Sequence, residues 1–374
     1  MKSAVIAGYV RSPFTPSNKS PLASVRPDEM TALVVRALVE RTKVKAEDIE
    51  DLLLGCAFPE GEQGLNLARL VGMMAGLPQS VAGATINRFC GSSMQSVHTA
   101  AGAIAIGAGE AFICAGIESM SRVPMMGFNP MPHPKFAAEH PDFYIGMGDT
   151  AENVAKKWGV SRREQEEFAV ESHRRAAAAQ AAGRLKDEIV AIGGVEQDLC
   201  IRAETTLEAL AGLKLAFDQN GSVTAGTSSP LTDGAAAVLV TSEDYARANK
   251  LEILARIKSV AVAGCAPEIM GIGPVPAATK ALKRAGLTAA DLDVVELNEA
   301  FASQSLACIH DLKLDKAKIN IDGGAIAIGH PLGATGARIV GKAASLLKRT
   351  GGKYALATQC IGGGQGIATV LEAV

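Results

Sequence analysis

Lys2-Ser3-Ala4-Val5-Ile6-Ala7-Gly8 returns almost unchanged as Lys258-Ser259-Val260-Ala261-Val262-Ala263-Gly264, and this echo decides the fold. Both segments alternate small and branched apolar residues, the pattern of a strand. Further matches follow in the same order. Asp48 to Phe58 resembles Asp291 to Phe301, each a helix end running into an apolar strand. Thr85 to Ser93 pairs with the run ending His330 to Thr335 at a strand-to-helix turn. Ala111 to Gly116 pairs with Ala355 to Cys360, and Asp233 to Val240 with Gln365 to Glu372. The helical stretches Met30 to Thr42 and Ala277 to Ala285 occupy corresponding places. Ordered self-similarity of this kind predicts two copies of one strand/helix-alternating unit, and the alternation predicts a mostly parallel sheet covered by helices.

The offset between the copies drops at the last match by about 111 residues, so the first copy alone carries an excursion. The predicted organisation is an N-terminal half over 1–117, completed by 230–256, an inserted loop domain over 118–229, and a C-terminal half over 257–374. Within the excursion, Met125 to Tyr144 is rich in Pro, Met, His and Phe and reads as a loop. Ser161-Arg162-Arg163-Glu164 is a capping box that opens a helix reaching about Ala182, with Gly183 as its stop. An excursion of this size inside an α/β fold covers or supplies a ligand site.

Composition narrows the function. Thirty-nine glycines in 374 residues is about 10%, above the roughly 7% of ordinary proteins. Forty-eight per cent hydrophobic residues and aperiodic glycines exclude disorder and collagen. With 37 Lys and Arg against 39 Asp and Glu there is no basic footprint for nucleic acid. No apolar stretch reaches the roughly 18 residues of a membrane span. A strand starts at once after Met1, with no presequence pattern. Seven cysteines without a CxxC fit neither a disulfide framework nor a zinc ribbon. A cytoplasmic location with reduced thiols is the expectation.

Three segments could carry chemistry. Asn87-Arg88-Phe89-Cys90-Gly91-Ser92-Ser93 puts a cysteine where a strand ends and a helix begins, and the positive end of a helix favours thiolate. Gly329-His330-Pro331-Leu332-Gly333 puts an imidazole, the usual base for a thiol, among glycines ahead of a second helix. Cys360-Ile361-Gly362-Gly363-Gly364 ends a strand in a glycine turn. Pseudo-twofold packing of the halves would bring Cys90 of one copy near His330 and Cys360 of the other. His98, His173 and His310 read as structural; for His133 and His140 both a solvated and a ligand-touching role stay open. Neither GxxxxGK[ST] nor a GxGxxG opening a helix is present, which disfavours dinucleotide binding.

Together with Asn298-Glu299-Ala300-Phe301, these blocks resemble the four signatures of the thiolases, and the similarity extends to Met147-Gly148-Asp149-Thr150-Ala151-Glu152-Asn153 and Thr224-Ala225-Gly226-Thr227-Ser228-Ser229-Pro230. The resemblance implies the thiolase fold, a five-layered α-β-α-β-α sandwich with an inserted loop domain. It implies acyl-CoA and CoA as substrates, no bound cofactor or metal, and a homodimer or homotetramer, with a β-oxidation multienzyme complex as a further partner.

It also implies roles: Cys90 the nucleophile, His330 its base, Cys360 the acid for the acetyl-CoA carbanion. Asn298, through a water, and His330 would form one oxyanion site, and the backbone N–H groups of Cys90 and Gly362 another. Phe217, Ala225, Ser229 and Phe301 would line the pantetheine channel, with Met147 beside the acyl pocket; core packing is the competing reading of the phenylalanines. Ser229 is expected to expose its hydroxyl in a turn.

Biosynthetic members show His-Met-Gly where this chain has Gly146-Met147-Gly148. This points to a degradative member that cleaves 3-ketoacyl-CoA with CoA to acetyl-CoA and a shortened acyl-CoA. The Met125–Tyr144 segment is shorter than in tetrameric biosynthetic members. A short-chain acetyl-CoA acetyltransferase and a silent acyl-CoA-binding homologue are the alternatives. The β-ketoacyl synthases, which share the fold, lack a second catalytic cysteine such as Cys360.

Overall fold

The two copies appear in the computed structural model, which describes residues 2–374. The first comprises β1 (Ala4–Arg11), the short β2 (Thr15–Pro16), α1 (Pro27–Thr42), β3 (Ile49–Cys56), α2 (Leu67–Met74), β4 (Ala82–Ile86), α3 (Ser92–Ile106) and β5 (Ala111–Ser119). The excursion holds α4 (Pro134–Glu139), α5 (Met147–Trp158), α6 (Arg162–Ala181) and α7 (Leu207–Ala211), and the chain returns through β6 (Thr232–Ser242) and α8 (Glu243–Ala248). The second copy runs β7 (Ala255–Gly264), α9 (Pro274–Ala285), β8 (Val294–Leu297), α10 (Ala302–Leu312), α11 (Ala325–Ile328), α12 (Leu332–Thr350), β9 (Tyr354–Ile361) and β10 (Gln365–Glu372). β7 begins at Ala255, just ahead of the boundary expected at 257.

The strands join in the order β4-β3-β5-β6-β1-β7-β10-β9-β8, with β2 on β6. Inside the extra edge strand β4 the order reads alike from both ends, with the echoed strands β1 and β7 meeting between the halves. The expectation of a mostly parallel sheet is corrected: β3 is parallel to β4 and β5, and β8 to β9, while the other pairings are antiparallel. Helical crossovers produce the parallel neighbours. The three residues Gly362 to Gly364 can only return β10 as a hairpin beside β9, and β6 lies antiparallel on β5 in the corresponding place.

Alternate strand residues face different helices. Leu52, Leu54, Ile113 and Leu239 pack outward with Met30, Val34 and Leu38 of α1. Leu53, Phe112 and Val238 face inward to Met94 and Val97 of α3 and to Ile339 and Val340 of α12. In the second half Val295, Leu297 and Leu356 point out to α9 and α10, while Val294, Ala355 and Ile367 point in. The sheet thus wraps both sides of the α3/α12 pair, giving five layers.

The capping box is present as read: Ser161 Oγ accepts from the Glu164 N–H, and α6 ends at Ala181. Met125–Tyr144 is not all loop. His133 Nδ1 accepts from the Phe136 N–H at 3.2 Å and Pro134 takes the first helical position, which nucleates α4. Among the described residues no helix is long and apolar enough to cross a membrane.

α12 is buried along most of its length, and glycine lets it lie against α3. A Cβ at Gly336 would stand 2.3 Å from the Met94 backbone nitrogen. Gly336→Ala is therefore expected to destabilise the fold by about 3 kcal/mol, the upper end of the usual overpacking cost, read as a lower urea midpoint at unchanged slope.

Candidate active site

Cys90 sits in the tight connection from β4 to α3. Asn87 Oδ1 accepts from the Phe89 N–H at 2.8 Å, and Asn87 Nδ2 donates to the Ala57 carbonyl at 3.0 Å. Ser92 Oγ accepts from the Arg88 N–H at 2.9 Å and donates to the Phe89 carbonyl at 2.6 Å. Gln359 of β9 donates to the Cys90 carbonyl, tying this turn to the other half. Phe89 adopts φ +42°, an uncommon conformation for a bulky residue and one found at functional turns.

Burial pushes the Cys90 thiol up to about 11, the Gly362 backbone N–H pulls it down, and Glu118 raises it again. The expectation that the helix end would favour thiolate is corrected: α3 starts only at Ser92, and burial raises the thiol above its ordinary value. The resting group is a thiol and needs a base.

His330 is the candidate base. Its backbone N–H donates to Thr232 Oγ1 at 3.0 Å. Its Nδ1 lies 2.6 Å from Thr335 Oγ1, and the Thr335 hydroxyl donates to the Pro331 carbonyl at 2.9 Å. With that hydroxyl proton committed, Nδ1 carries the imidazole proton and the Nε2 lone pair accepts from Asn298 Nδ2 at 3.3 Å. Burial, reinforced by Arg338, lowers the imidazole to about 3, so it is neutral at physiological pH. Asn298 is fully buried and its Oδ1 has no partner among the described residues, so this oxygen is the atom that fits a bridging water.

Cys360 closes β9 and is buried with Phe301, Met270, Val223 and Met147 around it. Burial, with Cys90 as the next contributor, raises its thiol well above the ordinary value, so it holds its proton. Cys90, Gly362 and Met147 line one cavity of about 370 Å³, together with Met125, Met131 and Tyr144 of the excursion.

His330, Asn298 and Cys360 do not line this cavity, nor do the four residues expected along the pantetheine. Of those, Phe301 packs with Cys360. The Phe217 ring meets Phe301 edge-on at 6.0 Å, Ala225 is exposed on a short 3₁₀ turn, and Ser228 bridges to Phe301. Ser229 corrects the expectation of a free hydroxyl: both its N–H and its Oγ donate to the Ala300 carbonyl, at 2.9 and 3.1 Å.

Glu118 was not anticipated. Fully buried, it accepts from the N–H groups of Ala57 and Gly333 at 2.9 Å each, from Phe58 at 3.2 Å and from the Gln63 amide at 2.8 Å. It joins the turn facing Cys90 to the segment after His330. Its signal was available, as the sole charge in the apolar run Ala111–Ser119. Glu299 grips the segment before His330, accepting from Ser172 at 2.6 Å, Asn320 at 2.7 Å and the Ile326 N–H at 3.2 Å. Glu152 anchors the Phe217–Ser229 strip through the Ser222 and Val223 N–H groups. His98 contacts Thr369, His173 accepts from the Arg202 N–H, and His310 is exposed beside Asp311.

The N-terminal thiolase domain family matches residues 4–244 and the C-terminal thiolase domain family residues 251–373. The chain is 46% identical to a 3-ketoacyl-CoA thiolase of Bacillus subtilis (strain 168) and 50% identical to one of Shewanella frigidimarina (strain NCIMB 400), each alignment covering 100% of both chains. It is similar to the crystal structure of human mitochondrial 3-ketoacyl-CoA thiolase, with a TM-score of 0.92 and 38% identity over 100% of this chain and 99% of that one. A structure of the human protein in complex with CoA matches with the same TM-score.

In ¹⁵N-histidine-labelled protein at neutral pH, His330 is expected to show a protonated Nδ1 and a bare Nε2. Thr335→Val removes the acceptor and should mix the tautomers, at a cost of about 1–3 kcal/mol for the stranded donor, followed by chemical denaturation.

Proposed function

The chain belongs to the thiolase family, and on that premise we propose how its residues act. It is an acetyl-CoA C-acyltransferase: CoA cleaves 3-ketoacyl-CoA to acetyl-CoA and a shortened acyl-CoA, in keeping with a place in fatty-acid β-oxidation. The observation that carries the assignment of roles is a protonated thiol, Cys90, in a cavity whose floor includes the Gly362 N–H, with a neutral imidazole held by Thr335 and Asn298 in the facing half.

Cys90 sulfur attacks the 3-keto carbon while its proton passes to His330 Nε2. The bond between C2 and C3 then breaks, leaving the acyl group on sulfur. The departing acetyl-CoA carbanion takes the proton of Cys360. CoA then attacks the acyl-cysteine, its thiol proton restoring the Cys360 thiol, and the shortened acyl-CoA leaves as His330 returns its proton to Cys90. Negative charge develops on two different oxygens during this cycle, so two donor sets are needed. The Cys90 and Gly362 N–H groups form one; Asn298, through a water, and His330 form the other. Phe217, Ala225, Ser229 and Phe301 hold the pantetheine arm, Ser229 through its exposed surface rather than its committed hydroxyl, and Met147 borders the acyl chain.

The chain is organised as a half over 1–117 completed by 230–256, a loop domain over 118–229 and a half over 257–374. It forms a homodimer, or a homotetramer built from two. Supporting this, β4 is an outermost strand with no fully buried residue, and Leu65, Leu70 and Met74 are exposed near it. All seven cysteines are free, in keeping with the cytoplasm. A β-oxidation multienzyme complex is the proposed further partner.

Two measurements test this reading. Incubation with acetyl-CoA should acetylate Cys90, seen by intact mass, and Cys90→Ser should lower thiolysis by about 10³-fold or more; full activity in that variant would refute the nucleophile. Across four- to sixteen-carbon substrates, kcat/KM should climb while the chain fills the methionine-lined cavity, each buried methylene contributing about 0.8 kcal/mol. A maximum at four carbons would favour the acetyl-CoA acetyltransferase reading.

A further inference from the structure

β8 and α12 face each other through two polar rungs. Val295 and Leu297 point to the outer helices and Val294 to the central layer, so Glu296 and Asn298 share the inner face. Asn298 meets His330; Glu296 meets Arg338 Nη1 in a buried ion pair. Two residues along a strand separate the rungs by about 7 Å, and Arg338 lies one turn beyond Thr335, the residue that holds His330 Nδ1.

The first rung belongs to the site already described; the second has entered it only through the Arg338 charge. Glu296 and Arg338 are almost wholly buried, and Glu296 Oε1, Arg338 Nε and Arg338 Nη2 have no partner among the described residues. The neighbouring charges are otherwise engaged. Lys342 of α12 lies between Glu188 at 2.9 Å and Asp322 at 2.8 Å, and Arg11 of β1 between Glu188 and Asp198. Tyr9 of β1 faces the same group as a neutral phenol. Glu296 is thus the one carboxylate paired with Arg338 among the described residues.

We propose that the Glu296–Arg338 pair sets the proton affinity of His330, Glu296 acting as a positioning residue that cancels the Arg338 charge only while it is ionised. The inference rests on the proposed role of His330 as the base for Cys90. Burial raises the Glu296 carboxyl to about 7, opposed by Arg338 and Lys342, with Asp322 and Glu188 adding to the rise. The sign follows: as pH falls through that value Glu296 gains a proton, Arg338 is left uncompensated, and an imidazolium at His330 becomes harder to form. Proton uptake from Cys90 then slows.

The test is the acetylation of Cys90 by acetyl-CoA, quenched in time and read by intact mass from pH 5.5 to 8.5. In this step the acetyl group moves from the CoA sulfur to the Cys90 sulfur, and the Cys90 proton passes through His330 to the leaving CoA thiolate. In the parent protein the rate should fall about tenfold as pH drops through the limb, the effect of one pKa unit at the base. Glu296→Gln should hold the low rate across the whole range, and the Glu296→Gln/Arg338→Gln double variant the high rate. Arg338→Gln, which keeps the carboxyl but removes the cation that holds it down, should move the limb to higher pH and serves if Glu296→Gln does not fold. A Glu296→Gln profile superimposed on the parent's, or a double variant no faster than the single, overturns the proposal. His330→Ala separates the two readings: acetylation at the parent rate in that variant overturns the role of His330 itself.

Discussion

The site depends on two buried helices lying closer than side chains allow. Where α12 crosses α3, Gly336 meets the Met94 backbone, and Gly333 lies against the Ile117 and Gly55 carbonyls. The Ala337 N–H donates to Ser93 Oγ at 2.8 Å, stitching the two helix starts together. Cys90 lies two residues ahead of one helix and His330 two residues ahead of the other. Two groups from distant parts of the chain are thereby set by the rigid central layer rather than by loops. The buried carboxylates Glu118 and Glu299 then grip the His330 segment on both sides.

Much of this was legible in the residues. The echo of Lys2–Gly8 at Lys258–Gly264 announced the duplication, because a repeated period leaves a pattern that survives substitution. The cysteine, histidine and glycine blocks announced the chemistry, because few residue types can perform it. What escaped depends on three-dimensional neighbours. The sense of β6 and β10 follows from how each connection returns, which periodicity does not encode. The direction of the Cys90 shift turned on desolvation, and no window of sequence reports how many atoms crowd a sulfur. Ser229 read as a free hydroxyl until the Ala300 carbonyl was found beneath it. Glu118 was visible as a lone charge in an apolar strand, but its importance lies in the N–H groups it gathers from two halves.

Burial works differently on the two thiols and the imidazole. It keeps Cys360 protonated, which suits an acid; it keeps His330 neutral, which suits a base; and it keeps Cys90 a thiol. A single cause, exclusion of water by the packed halves, thus prepares three different groups.

The turn after β9 and the excursion after β5 solve the same geometric problem, returning a strand antiparallel to its predecessor. One does so with three glycines, two of which line the Cys90 cavity; the other with a segment that carries most of that cavity's apolar wall. Conserving the sheet asks nothing of the longer route except where it leaves and rejoins. Its methionine-rich wall stands apart from Ser172, which reaches Glu299, and from Glu152, which holds the Phe217–Ser229 strip, so lining the cavity and bracing the site fall to different stretches of one excursion.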